Sequence, residues 1–170
     1  MSRIPPEPAA DGGTGNEAAA PDDRRGIDPR GPRFTAGVTA ALLLVTVVLG
    51  FGGLDLAAIL LLAALAAVFA WSAVAGVARH PFGLLFRALV RPRLAPPSAL
   101  EDPRPPTFAQ LVGVIVTGTG VVLGLVGLEF AVPIAASLAF VAAFLNAAFG
   151  YCLGCRIYLL LVRARVIRTA

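Results

Sequence analysis

Few residues of this chain can do chemistry, and the two cysteines stand out among them. Cys152 and Cys155 are the only cysteines in 170 residues, and only Leu153 and Gly154 separate them. This spacing allows the two sulfur atoms to close a small disulfide loop, and it allows one thiol to stabilise the thiolate of the other. The pair therefore indicates thiol–disulfide chemistry.

Two other uses of the cysteine pair, zinc binding and packing, stay open. A haem attachment site is excluded, because it needs a histidine where this chain has Arg156. A zinc site needs four ligands, so His80 or a second copy of the chain would have to add to the two thiolates. The two side chains can also simply pack at a helix end. We expect no resident metal and no cofactor.

Three further residues are candidates for the same site. Arg156 follows the pair, and its charge would favour the thiolate together with the N-terminus of a helix that begins near Cys152. Asn146 can polarise a thiol, although a hydrogen bond between helices is the commoner role of such a residue. His80 is a possible neighbour of Cys152, although a single histidine at a helix end is more often structural.

The composition places these residues in a membrane protein. Hydrophobic residues make up 58% of the chain and charged residues 14%, whereas about 45–50% and about 25% are usual in soluble domains. Such a chain cannot cover a soluble surface with polar side chains. It has no lysine, which excludes Schiff-base lysine chemistry and the P-loop. We expect a lipid bilayer as partner and no nucleic acid.

Four apolar segments have the length of about 20 residues that a helix needs to cross a bilayer. They are 34–54, 56–78, 107–128 and a segment that starts at 131 and is interrupted at Gly150. Continuous apolarity without alternation favours helices over the strands of a barrel. The predicted fold is an all-α membrane protein with four transmembrane helices.

The arginines predict the orientation of these helices. Residues 79–106 contain five arginines and the segment after 155 contains four, whereas the turns at Asp55 and Glu129 contain none. Because positive charge stays inside, both termini and the long loop are expected in the cytoplasm. We expect a multi-pass protein of the inner membrane whose first helix is an uncleaved anchor.

An internal repeat predicts how the helices are arranged. A shift of 74 residues aligns DPRGPRF at 28–34 with DPRPPTF at 102–108, and 15 of 49 positions are identical between 28 and 76. We predict a four-helix domain over 28–170 with two tandem hairpins of the same orientation, related by an axis along the membrane normal. The hairpins are repeat one, 28–78, and repeat two, 102–152.

The other segments are expected outside the bilayer. Residues 1–27 predict a disordered cytoplasmic tail. In the cytoplasmic loop 79–101, residues 81–90 predict an amphipathic interfacial helix, or alternatively a loop packed on the helix ends. The six prolines of 92–106 predict an extended segment. A second interfacial helix is predicted over 153–170. The expected apolar face of the first consists of Phe82, Leu85, Phe86 and Leu89.

The proline-containing segments 28–34 and 102–108 and the cysteine segment resemble a bacterial family of four-helix membrane proteins, domain of unknown function 4395. The resemblance covers 28–162 and rests on 28–34, 79–82, 91–106 and 146–158. It implies no activity, but it implies thioredoxin-like proteins and sulfurtransferases as neighbours. The architecture is also similar to the small redox-associated membrane proteins of the DoxX and MauE type, which is an analogy of fold alone.

The leading hypothesis is a thiol-redox protein of the membrane. Cys152 and Cys155 would cycle between dithiol and disulfide with a cytosolic thioredoxin-like or sulfur-carrying partner, and a permanent disulfide is not expected on a reducing side. The competing hypothesis is a non-enzymatic scaffold that docks a partner or lipid. A small transporter is disfavoured, because no charged residue lies within a span. The oligomeric state stays open.

Overall fold

A computed structural model describes residues 26–97 and 99–166 of the chain. Within these ranges the fold is all-helical and contains no β-strand. Almost all of the predicted tail, residues 1–25, lies outside the described residues, as does the end of the last predicted helix, 167–170. The helices are α1 (Arg30–Phe51), α2 (Asp55–Ala75), α3 (Pro81–Leu85), α4 (Arg104–Leu125), α5 (Ala131–Phe149) and α6 (Leu153–Arg163).

Four of the helices, α1, α2, α4 and α5, are long and apolar enough to cross a membrane. The predicted all-α fold with four spans is thereby confirmed, and the chain is a multi-pass membrane protein. Large apolar side chains on the outer faces, such as Leu60, Val122 and Leu138, are more than half exposed. A lipid bilayer is the environment that such faces require.

The helices α1 and α4 begin with the same local structure. Asp28 Oδ1 accepts a hydrogen bond from the backbone N–H of Arg30 at 3.0 Å, and Asp102 Oδ1 accepts one from the N–H of Arg104 at 2.9 Å. Both helices start three to four residues before the predicted spans. Prolines in the first turn permit this, because the N–H groups they lack have no partner within the helix.

The predicted extended segment 92–106 is wrong at both ends. Residues 91–93 form a 3₁₀ turn, and residues 104–106 already belong to α4. Between them the chain is tied to the start of α1 by two backbone hydrogen bonds between Ile27 and Glu101, of 2.8 and 3.0 Å. The proline content therefore predicts an extended conformation correctly only in the middle of this segment.

The helix predicted over 81–90 is present as α3 and a π-helical turn, 86–90. The apolar side chains of this segment have different environments. Phe86 is buried against Phe34, with ring centroids 5.6 Å apart, whereas Leu85 and Leu89 are exposed. The wider π turn changes the angular spacing of the side chains after α3, so a pattern based on 3.6 residues per turn does not continue.

The four long helices pack as two hairpins against each other. α1 packs mainly against α5, and α2 packs mainly against α4. The core between them contains Leu43, Leu62 and Val132. At Gly120 of α4 a side chain would overlap Ala135 of α5, so the absence of a Cβ sets the distance between these two helices.

Corresponding positions of the two halves adopt the same backbone conformations. Gly53 and Gly127, in the turns after α1 and α4, have φ values of +76° and +90°. Gly76 and Gly150, directly after α2 and α5, have φ values of +84° and +68°. Glycine adopts such values without steric cost. These similarities agree with the predicted repeat, which stays a prediction, as does the orientation of the termini.

Candidate functional site

Cys152 and Cys155 lie at a break between α5 and α6, and their sulfur atoms are joined in a disulfide. Gly150 ends α5 in a left-handed conformation, and its N–H donates to the carbonyl of Asn146 at 3.0 Å. A new helix then begins at Leu153. The predicted break at Gly150 is confirmed. The helix predicted over 153–170 begins at Leu153 as expected but ends at Arg163, and residues 164–166 form a turn.

Cys152 is the N-cap of α6. Its Sγ accepts a hydrogen bond from the backbone N–H of Cys155, with a sulfur–nitrogen distance of 3.3 Å. At most N-caps a serine, threonine or aspartate oxygen takes this place. A thiolate on Cys152 would accept a charge-assisted hydrogen bond there and would face the positive end of the helix dipole. The two sulfur atoms therefore have different environments, because only the Sγ of Cys152 occupies the N-cap position.

Gly154 fixes the position of the pair relative to the bundle. Gly154 is buried, and a Cβ on it would lie 2.5 Å from the Cβ and 2.6 Å from the Cα of Ala109 in α4. Further along α6, the rings of Tyr158 and Phe108 are 5.6 Å apart. Because the cysteines flank Gly154, the close approach of α6 to α4 positions both sulfur atoms.

The disulfide forms part of the wall of a cavity of about 610 Å³ between α1, α2, α4, α5 and α6. This volume lies in the range of about 300–1,000 Å³ that is typical of small-molecule sites. Most of the wall consists of apolar side chains. The polar side chains in the wall include Arg33, Thr35, Thr39, Gln110, Asn146 and Arg156.

Two of the predicted neighbours share this cavity with the cysteines. Asn146 and Arg156 both line it. The guanidinium of Arg156 is exposed and lies over the ring of Tyr151, 5.2 Å from the ring centroid, so a cation–π contact orients it. Its effect on the thiolate stays a prediction.

Sequence patterns do not single out Arg33, which also lines the cavity. Its Nη2 donates to the carbonyl oxygens of Ala147 at 3.5 Å and Ala148 at 3.4 Å, at the end of α5. A cation stabilises this end of a helix. In the aligned repeat the corresponding residue is Thr107, whose hydroxyl accepts from the N–H of Val77 after α2. This Arg–Thr difference between the two repeats is the one sequence feature that distinguishes Arg33.

Gln110 is the second cavity residue that the sequence analysis missed. It lies in α4, and its Oε1 is buried without a hydrogen-bond partner among the described residues. A buried amide oxygen without a partner carries a desolvation cost of about 1–3 kcal/mol. An amide inside an apolar span was the signal available in the sequence. Gln110 is one of the residues that line the cavity.

His80 is not among the residues of the cavity wall. It is the N-cap of α3, its side chain is buried, and its Nδ1 accepts from the N–H of Phe82 at 3.2 Å. Within the described residues, no three His, Cys, Asp or Glu side chains are grouped closely enough to hold a metal ion. A role of His80 beside Cys152 stays a prediction, and its observed contacts are those of a structural residue.

The burial of His80 predicts a dependence of stability on pH. Burial lowers the pKa of His80 from 6.5 to about 4, so the unfolded chain binds a proton that the folded chain does not bind between these values. Its stabilising contribution is complete above pH 6.5 and decreases as the pH falls towards 4, by about 3 kcal/mol in total. In detergent, thermal unfolding of His80→Asn should lose this part of the pH dependence. An unchanged pH profile would contradict the assignment.

The comparisons with known proteins identify a family and no characterised relative. No curated protein and no solved structure matches the chain. The sequence model of one family matches residues 27–163, a range that contains the four spans, the cysteine pair and α6. The resemblance expected from the boxes and the cysteine segment is confirmed, and the chain belongs to the family described as Domain of unknown function (DUF4395).

Proposed function

We propose that this membrane protein carries out thiol–disulfide exchange through Cys152 and Cys155. One observation carries the proposal, namely that the Sγ of Cys152 caps the N-terminus of α6 and accepts from the N–H of Cys155 at 3.3 Å. Cysteine thiolates at helix N-termini are stabilised and reactive. Both cysteines are half-buried in the wall of a cavity, so their sulfur atoms are accessible to a reactant.

Cys152 is the nucleophile in this proposal, and Cys155 is the resolving residue. The thiolate of Cys152 attacks one sulfur of a partner disulfide, forms a mixed disulfide and releases one partner thiolate. The thiolate of Cys155 then attacks the sulfur of Cys152, closes the intrachain disulfide and releases the second partner thiolate. Two electrons pass to the partner, and the reverse sequence oxidises a partner dithiol.

The proposed partner is a thioredoxin-like protein or a sulfurtransferase on the cytoplasmic side of the inner membrane. The cysteine pair follows the end of α5 at which Arg33 from the start of α1 binds. The arginines of the loop between α2 and α4, such as Arg87 and Arg91, belong to the same end of the bundle. The positive-inside rule favours the cytoplasm for this end.

Equilibration with glutathione tests the proposal. The full chain in lipid nanodiscs is incubated at a series of reduced-to-oxidised glutathione ratios, and maleimide labelling followed by mass measurement gives the fraction of dithiol. A peptide of residues 150–157 is the control, because it has the same cysteines without the N-cap. We expect a reversible transition in which the dithiol is favoured about tenfold over that of the peptide, the effect of one charge-assisted hydrogen bond.

Two outcomes would contradict the proposal. A pair that stays oxidised or stays reduced at every glutathione ratio is an inert pair, and the scaffold hypothesis then replaces thiol exchange. A transition identical to that of the peptide means that the N-cap does not stabilise the thiolate. In that case the fold adds nothing to the chemistry of the pair.

A further inference from the structure

We infer that the cavity beside the cysteine pair binds a quinone, which takes up the electrons of the Cys152–Cys155 dithiol. The inference rests on the proposed thiol exchange and adds a second reactant to it. A soluble partner would deliver electrons to the pair at the membrane surface. The quinone would remove them within the bilayer.

The depth of the cavity points to a small ligand from the membrane. Thr39 lies nine residues into α1, and Ala139 lies ten residues before the end of α5, and both line the cavity. At 1.5 Å per residue these positions are about 15 Å from the helix ends, which is half of a hydrocarbon core of about 30 Å. A folded protein partner needs only to reach the sulfur atoms. The deep part of the cavity suits a narrow apolar molecule.

The wall of the cavity fits a flat ring. Small residues such as Ala36 and Ala142 line it, together with Phe69, whose ring packs against Gly113. Small side chains leave room for a ring, and an aromatic face can stack on it. The two sulfur atoms belong to the same wall, so a ring bound here lies in the space that the redox-active groups border.

Gln110 supplies the polar recognition. Its Oε1 is buried and has no partner among the described residues. The amide N–H₂ can donate to a carbonyl oxygen of the quinone and equally to a hydroxyl oxygen of the hydroquinone product. An amide therefore binds both redox forms, whereas a carboxylate would serve only the reduced form. Arg33, in the same wall, adds a positive charge that stabilises an anionic oxygen on the ring.

The electron transfer balances without any further reactant. The thiolate of Cys152 forms a bond to the quinone ring, and the thiolate of Cys155 attacks the sulfur of Cys152. The sulfur–carbon bond breaks, its electron pair stays on the ring, and the ring oxygens take up two protons. In sum, one dithiol and one quinone give one disulfide and one hydroquinone.

A quinone reduction assay tests the inference. The probe is 2,3-dimethoxy-5-methyl-6-decyl-1,4-benzoquinone, whose fully substituted ring resists permanent addition of thiols. It is added to the reduced full chain in lipid nanodiscs, and its ultraviolet absorbance and the re-formation of the disulfide are followed together. We expect one hydroquinone for each disulfide formed. Reduction of the oxidised chain by dithiothreitol is measured in parallel as the readout of thiol exchange alone.

Three variants locate the reaction in the cavity. Gln110→Leu should slow quinone reduction by about tenfold through the loss of one hydrogen bond, and Ala142→Leu should slow it by filling the cavity. Ala67→Leu, on the exposed face of α2, is the matched control and should react like the wild type. Reduction by dithiothreitol is measured for each variant in parallel, and Ala67→Leu should match the wild type in both reactions.

The other outcomes contradict the quinone inference, the thiol exchange or the assignment to this cavity. A wild-type chain that exchanges with dithiothreitol but leaves the quinone unreduced contradicts the quinone inference and leaves thiol exchange standing. A chain that reacts with neither reagent contradicts both. Quinone reduction that is equal in Ala142→Leu and Ala67→Leu means that the ring reaches the sulfur atoms by another route, which contradicts the assignment to this cavity.

Discussion

The Cys155→Ser variant should capture a partner disulfide as a stable mixed disulfide on Cys152, whereas the Cys152→Ser variant should lose exchange altogether. In Cys155→Ser the backbone N–H of residue 155 still donates to the sulfur of Cys152, so the nucleophile stays activated while the resolving thiol is absent. In Cys152→Ser the remaining thiol lies inside the first turn of α6 without the N-cap hydrogen bond. Alkylation by iodoacetamide should be about tenfold faster in the first variant, as expected for a stabilised thiolate.

The serine at position 152 provides its own folding control. Serine is a favourable N-cap, so α6 is retained and the thermal unfolding of Cys152→Ser should match that of the reduced wild type. Equal alkylation rates in the two variants, or a mixed disulfide that forms only on Cys155, would reverse the assignment of the roles. Circular dichroism in detergent checks that both variants are folded.

The Gly154→Ala variant should detach the cysteine pair from its position against α4. The new Cβ would lie 2.5 Å from the Cβ and 2.6 Å from the Cα of Ala109, a separation at which backbone atoms must move. Such overpacking costs about 1–3 kcal/mol. The midpoint of thermal unfolding should decrease, and α6 should become more accessible to protease.

Gly118→Ala is the matched control, because a Cβ at Gly118 has no heavy atom within 4 Å. It should unfold at or above the wild-type temperature, since alanine favours a helix over glycine. Adding Ala109→Gly to Gly154→Ala removes one of the two overlaps, so part of the stability should return. If Gly154→Ala unfolds like Gly118→Ala, the close packing of α6 on α4 does not position the pair.

The sequence was sufficient to predict the spans and the break before the cysteines, because both follow from local properties. Each span is a continuous apolar segment, and Gly150 interrupts the fourth one where a helix can end in a left-handed residue. The starts of the helices were displaced for a local reason too. The prolines at 103–106 predict extended chain, whereas Pro105 and Pro106 occupy the first turn of α4.

The cavity could not be predicted in the same way, because it joins residues that are distant in the chain. Arg33 and Gln110 meet the segment around Cys152 only after α1 packs against α5 and α6 packs against α4. A single sequence contains no direct signal of that packing. The repeat gives no information on the distance between His80 and the cysteines. The repeat aligns the region of His80 with the cysteine segment, and corresponding positions of two hairpins do not have to lie close together.

Redox-dependent labelling of the wild-type chain in membrane vesicles tests thiol exchange by Cys152 and Cys155. A membrane-impermeant maleimide of high mass is added to inverted vesicles, whose outer face is the cytoplasmic face, before and after a reductant, and again after reoxidation. We expect two labels per chain after reduction, none after reoxidation, and no labelling in right-side-out vesicles. A pair whose labelling never changes with reductant or oxidant would contradict thiol exchange, and labelling from the outer face alone would contradict the proposed orientation.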